Sequence, residues 1–138
     1  MKKSKLIKFL KSLNPDEFRR FKKFLASPYF NANATISKLY DKLRPYYPDF
    51  DDPKLSKENI YKKCYPKEKF NIAKLRRLMS EMTTLLEEYL VDLELREKTY
   101  EKKKLLTRAY GRRNLYDYFE KGIVELEKEL EAQPYRDG

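Results

Sequence analysis

The chain is 138 residues long, 39% charged and 41% hydrophobic, with a formal net charge of +10. That length suits one domain around a single core, and recurrent apolar positions exclude intrinsic disorder. The absence of histidine, a lone cysteine and only three glycines exclude His/Cys zinc sites, Ser-His and Cys-His nucleophile pairs and Gly-rich phosphate loops.

Nineteen leucines stand against two valines and five isoleucines, so helix is expected throughout, because β-branched residues are what strands favour. From Ser4 to Leu13, the residues Leu6, Ile7, Phe9, Leu10 and Leu13 share one side of a helix opposite Lys5, Lys8 and Lys11. Lys8 and Lys11 also interrupt the apolar run that a signal peptide requires. Asn14-Pro15 with Glu17 predicts a capped second helix carrying Phe18, Phe21, Phe24 and Leu25, ending at Ser27-Pro28. A connector over Tyr29 to Asn33 leads to a third helix with Ile36, Leu39, Tyr40 and Leu43, stopped by Arg44-Pro45. Pro45, Pro48 and Pro53 define an irregular stretch from Tyr46 to Leu55, and Ser56 caps a short fourth helix through Ile60, Tyr61 and Cys64.

Asn71 is expected to cap a long central helix, with Leu75, Leu78, Met82, Leu85, Leu86, Tyr89, Leu90 and Leu93 as its inward stripe. The stripe loses phase between Arg96 and Lys104, which places a break near Lys98, before Leu105, Leu106, Ala109 and Tyr110 restart it. Gly111 to Asn114 should turn the chain, with Asn114 capping a last helix whose inward residues are Leu115, Phe119, Ile123, Leu126 and Leu130. The last two helices read as a hairpin close in length to a tetratricopeptide unit, with Gly122 and Leu126 at acceptable positions, although Tyr110 stands where that unit has a small residue. The expected fold is therefore all-α: an irregular helical bundle with a long central helix, ending in a tetratricopeptide-like hairpin. Its parts within one domain are basic N-terminal helices over 1–66, a central helix over 67–98 and the hairpin over 99–134.

Charge is unevenly placed: residues 1–77 carry 21 Lys/Arg against 8 Asp/Glu, and residues 78–138 carry 11 against 14. Such a basic half attracts phosphates, anionic lipid or an acidic protein. The lysines of the first helix could lie on anionic lipid with Phe9 and Leu10 inserted, but a solvated face over a core helix is the favoured reading. A short helix from Ser56 followed by the basic segment at Leu75 is similar to the helix-turn-helix of winged-helix regulators. Lys62, Lys63, Lys67, Lys69, Lys74, Arg76 and Arg77 of this segment, together with Arg19 and Arg20 on the second helix, are candidate contacts to nucleic acid or an acidic partner. Against a compact motif, the turn from Cys64 to Asn71 is long and no wing follows. Asp49, Asp51 and Asp52 could hold a hard cation, yet Pro53 and Lys54 break the calcium-loop spacing and a solvated loop is favoured. Loop aromatics Tyr29-Phe30 and Tyr46-Tyr47 either plug the core or anchor a partner.

The segments Phe21-x-x-Phe24-Leu25-x-Ser27-Pro28-Tyr29-Phe30-Asn31, Tyr46-Tyr47-Pro48-Asp49-Phe50-Asp51, Leu75-Arg76-x-Leu78-Met79-Ser80 and Leu86-Glu87-Glu88-Tyr89-Leu90 together resemble the N-terminal region of long, uncharacterised, all-helical bacterial proteins. The resemblance spans about residues 13 to 132. It implies an N-terminal piece of a parent that continues into further helical hairpins, and it carries over no functional residue. A non-catalytic protein-interaction or scaffold module, cytoplasmic and without cofactor, is the expected function. A nucleic-acid-binding module using residues 55–95 is the alternative.

Overall fold

The computed structural model describes residues 1–28 and 33–132, which form seven α-helices, with no strand among the described residues. The helices are α1 (Lys5–Ser12), α2 (Pro15–Ala26), α3 (Ala34–Leu43), α4 (Lys57–Cys64), α5 (Ile72–Glu97), α6 (Thr99–Arg112) and α7 (Tyr116–Ala132). The chain divides into two compact units, Met1–Leu90 and Val91–Gly138, so the division falls inside α5. The Tyr29-Phe30 pair and Pro134 lie outside the described residues.

Local chemistry explains the helix starts. Ser4, Asn14, Asn33 and Ser56 each hold an extended backbone and accept a first-turn amide hydrogen, satisfying donors that a helix cannot pair internally. At α2 the arrangement is reciprocal: Glu17 N donates to Asn14 Oδ1 at 2.8 Å and Asn14 N donates to Glu17 Oε1 at 2.9 Å. Lys74 N likewise donates to Asn71 Oδ1 at 3.1 Å. The expected central segment over 67–98 therefore contracts at its front, because Lys67 to Asn71 form the approach and cap of α5.

In the first unit, α2 is the hub. Phe18 stacks on Tyr40 and Tyr47 at ring separations of 5.0 and 4.0 Å, and Phe21 stacks on Tyr89 at 5.1 Å. Buried aromatic hydroxyls need acceptors, and three tyrosines find them on the backbone at or next to this helix. Tyr40 donates to the Phe18 carbonyl at 2.6 Å, Tyr89 to that of Glu17 at 2.7 Å and Tyr47 to that of Leu13 at 2.7 Å. Tyr47 thus plugs the core. Leu75, Leu78, Met82, Leu85, Leu86 and Tyr89 of α5 are buried as the stripe requires, joined by Met79 and Thr83; Leu90 and Leu93 are half-buried. Phe50 is buried with φ of 51°, a left-handed backbone that costs an aromatic residue about 1–2 kcal/mol. Burial of its ring outweighs that cost.

The second unit begins with the end of α5, and Lys98 separates α5 from α6 where the break is expected. Two corrections apply to the hairpin. Gly111 lies within α6 and does not turn the chain. Asn114, expected to cap α7, instead closes α6: it takes a left-handed φ of 59° while its N–H reaches the Gly111 carbonyl and the Leu115 N–H reaches that of Tyr110. That double closure is the usual end of a helix at a left-handed residue, and asparagine tolerates the geometry. Its Oδ1 accepts from the Tyr116 hydroxyl at 2.8 Å. The second correction concerns the apolar stripes: Leu105, Leu106, Leu115, Ile123 and Leu130, expected inward, are exposed. The α6–α7 seam instead uses Gly122 against Thr107, Gly111 against Phe119 and the lysine of Lys103 between Glu125 and Glu129.

Candidate functional site

The surface chemistry differs sharply between the units. Residues 1–90 carry 21 Lys/Arg against 11 Asp/Glu, and residues 91–138 carry 11 of each. The whole excess of positive charge therefore belongs to the first unit.

Of the nine candidate cations, Arg19 and Arg20 lie on α2 and share the Asp16 carboxylate, at 2.6 and 3.2 Å. Lys63, on α4, donates to the Tyr46 hydroxyl at 3.2 Å and stands 5.5 Å from the centre of that ring. Lys74 spans both oxygens of Glu68 at 2.9 and 2.8 Å and lies 4.2 Å over the Tyr65 ring. The hydrogen bonds it donates to the Glu68 carboxylate hold the Lys74 ammonium above its usual pKa. Lys62, Lys67, Lys69, Arg76 and Arg77 are exposed, and no ion pair or hydrogen bond among the described residues engages their side chains. Seven of the nine thus fall on one continuous path, α4, the turn over 65–71 and the first turns of α5.

At the centre of that path is an aromatic cluster the sequence reading overlooked. Tyr61 is buried; the Tyr65 ring lies 5.0 Å from it and the Phe70 ring stands edge-on at 5.4 Å. Phe70 is 45% exposed. Its position outside the helical stripes, between Lys69 and Asn71, was a legible signal. On α1, Leu10 is fully buried and Phe9 half-buried under Lys5, so the pair is not free to insert into lipid. Asp52 accepts from the Lys54 amide at 2.8 Å, which makes the acidic segment a turn. Among the described residues no three acidic or sulfur side chains converge to hold a metal. Burial pushes the Cys64 thiol up, against the opposing pull of Lys38 and Lys42.

The second unit offers a different surface. Leu105, Leu106, Leu115, Tyr116, Tyr118, Ile123, Val124 and Leu130 are exposed, from 37% at Ile123 to 62% at Tyr116. Tyr116, Phe119, Ile123, Leu126 and Leu130 recur at spacings of three and four along α7, so they form one lengthwise stripe. Thr107 is the only buried residue among the described residues of this unit. No described helix is long and apolar enough to cross a membrane. No family model, curated protein or solved structure matches this chain.

Proposed function

We propose that the protein is a non-catalytic, cytoplasmic interaction module whose hairpin, α6 and α7, receives the apolar face of a helical protein. The carrying observation is that this hairpin exposes eight large apolar side chains while burying none of them. A helix pair without a buried apolar core gains little from folding, because most helical stability comes from tertiary packing. Exposed apolar area on this scale marks a surface for a partner. In tetratricopeptide-like arrays each hairpin hides its face only against the next one, which supports a helical occupant. The catalytic inventory fits a binding role, since histidine is absent and Cys64 is buried.

The test is affinity capture with the full chain against its charged-stripe variant, Ile123→Lys with Leu130→Lys. Both residues are exposed, so the fold should persist by circular dichroism. A discrete protein retained by the native chain and by Lys67→Gln, but lost by the stripe variant, supports the reading. Equal recovery by native and stripe chains refutes it.

A further inference from the structure

We propose that the turn joining α4 to α5 binds single-stranded nucleic acid, with Phe70 as the platform for an unpaired base and Lys67, Lys69, Arg76 and Arg77, its near neighbours along the chain, as phosphate contacts. This surface belongs to the first unit and does not rest on the hairpin reading.

Three observations carry the proposal. Residues 61–77 hold seven cations and one carboxylate, Glu68, which Lys74 already neutralises. The charge left over is therefore positive and available to an anionic polymer. Next, Phe70 is the single large apolar side chain exposed among the described residues of the first unit. Its ring is already in T-shaped contact with the buried Tyr61, so a base meets a packed side chain and not a loose one that must be ordered on binding. An exposed ring within a cation-rich stretch of chain matches the paired needs of a nucleotide, a base to stack and a phosphate to neutralise. Finally, the cations are mostly lysines. Protein–protein interface cores are depleted in lysine, whereas a phosphate backbone is neutralised by it without demanding bidentate geometry.

Single strands are favoured over duplex by where Phe70 stands. It lies just before the N-terminal end of α5, the end a helix-turn-helix would direct into the major groove. A ring face there has no partner among stacked, paired bases, but an unpaired base can lie on it. The turn over 65–71 also separates the two helices too widely for a compact motif.

The experiment is fluorescence anisotropy of the full chain with labelled oligothymidylate of about fifteen nucleotides, within the span that one small domain covers. Comparators are a duplex of the same length and polyglutamate. Expected are saturable binding to the single strand, an affinity that falls between about 50 and 200 mM salt with a log–log slope near −0.7 per phosphate neutralised, and weaker binding to both comparators. Phe70→Ala should lose roughly 5- to 150-fold in affinity. Phe70→Leu, apolar but without a π-face, should lose a similar factor, while Phe70→Tyr should retain binding. Lys67→Gln with Lys69→Gln should make the salt slope shallower. The proposal is overturned by no binding at the lowest salt, by duplex or polyglutamate bound as tightly as the single strand, or by unchanged affinity in Phe70→Ala.

Discussion

Gly122 of α7 lies directly against Thr107 of α6: a methyl group placed on Gly122 would meet Thr107 Oγ1 at 2.4 Å and Cγ2 at 2.9 Å. Thr107 is buried and β-branched, so it has at most two χ1 rotamers within the helix and little free space to move into. The glycine therefore sets how closely the two helices approach, and with it the reach of Lys103 to Glu129 at 3.0 Å.

Gly122→Ala should separate α6 from α7 and destabilise the hairpin by about 1–3 kcal/mol, offset in part by the roughly 1 kcal/mol that alanine gains over glycine in a helix. Adding Thr107→Ala should recover most of the loss. Urea unfolding of the two single variants and the double variant, treated as a double-mutant cycle, measures the coupling. A stabilised Gly122→Ala chain would contradict the close approach.

Tyr40 provides a test in pH. Burial pushes its hydroxyl up to about 12, against the Arg44 guanidinium, which pulls it down. Between pH 10 and 12 the unfolded chain therefore loses this proton before the folded one does. The contribution is complete below pH 10 and disappears as pH rises toward 12, amounting to roughly 2 kcal/mol. Lysines titrate in the same window, so the measurement is the difference between native and Tyr40→Phe chains. That difference should start near 1 kcal/mol in favour of the native chain, from the lost bond to the Phe18 carbonyl, and fall by roughly 2 kcal/mol across the window, so that Tyr40→Phe becomes the more stable chain near pH 12.

Asn114→Gly should leave the melting temperature nearly unchanged, since glycine adopts the left-handed backbone freely. Asn114→Val should lower stability by about 1–2 kcal/mol, because a β-branched residue is forced into that region. Equal stability of the two variants would contradict the closure of α6 at this residue.

Cys64 should resist thiol reagents in the native chain at pH 8 and react promptly once the chain is unfolded in denaturant. Burial both shields the sulfur and disfavours its thiolate. Native labelling as fast as denatured labelling would place Cys64 at the surface.

Local signals were readable where short-range chemistry decides the structure. Asn14 with Glu17, Ser56, Asn71 and the phase loss near Lys98 located helix ends because caps act within one turn. The stripe of α5 was readable because eight inward positions in one helix define a face without reference to any neighbour. Asn114 was misassigned to α7 because the same residue type suits both a cap before a helix and a left-handed closure after one. Only its φ separates them.

By itself, the sequence determined the helical class, the order of the helices, the missing catalytic groups and the concentration of positive charge in the first half. Tertiary structure decided which apolar stripes are covered. Leu86 and Leu130 both sit on well-spaced stripes, yet Leu86 is fully buried and Leu130 is 45% exposed. Periodicity shows that a helix has an apolar side. Whether another element lies against that side depends on contacts distant in sequence, and on α7 Phe119 and Leu126 are half-buried while Ile123 and Leu130 of the same stripe stay exposed.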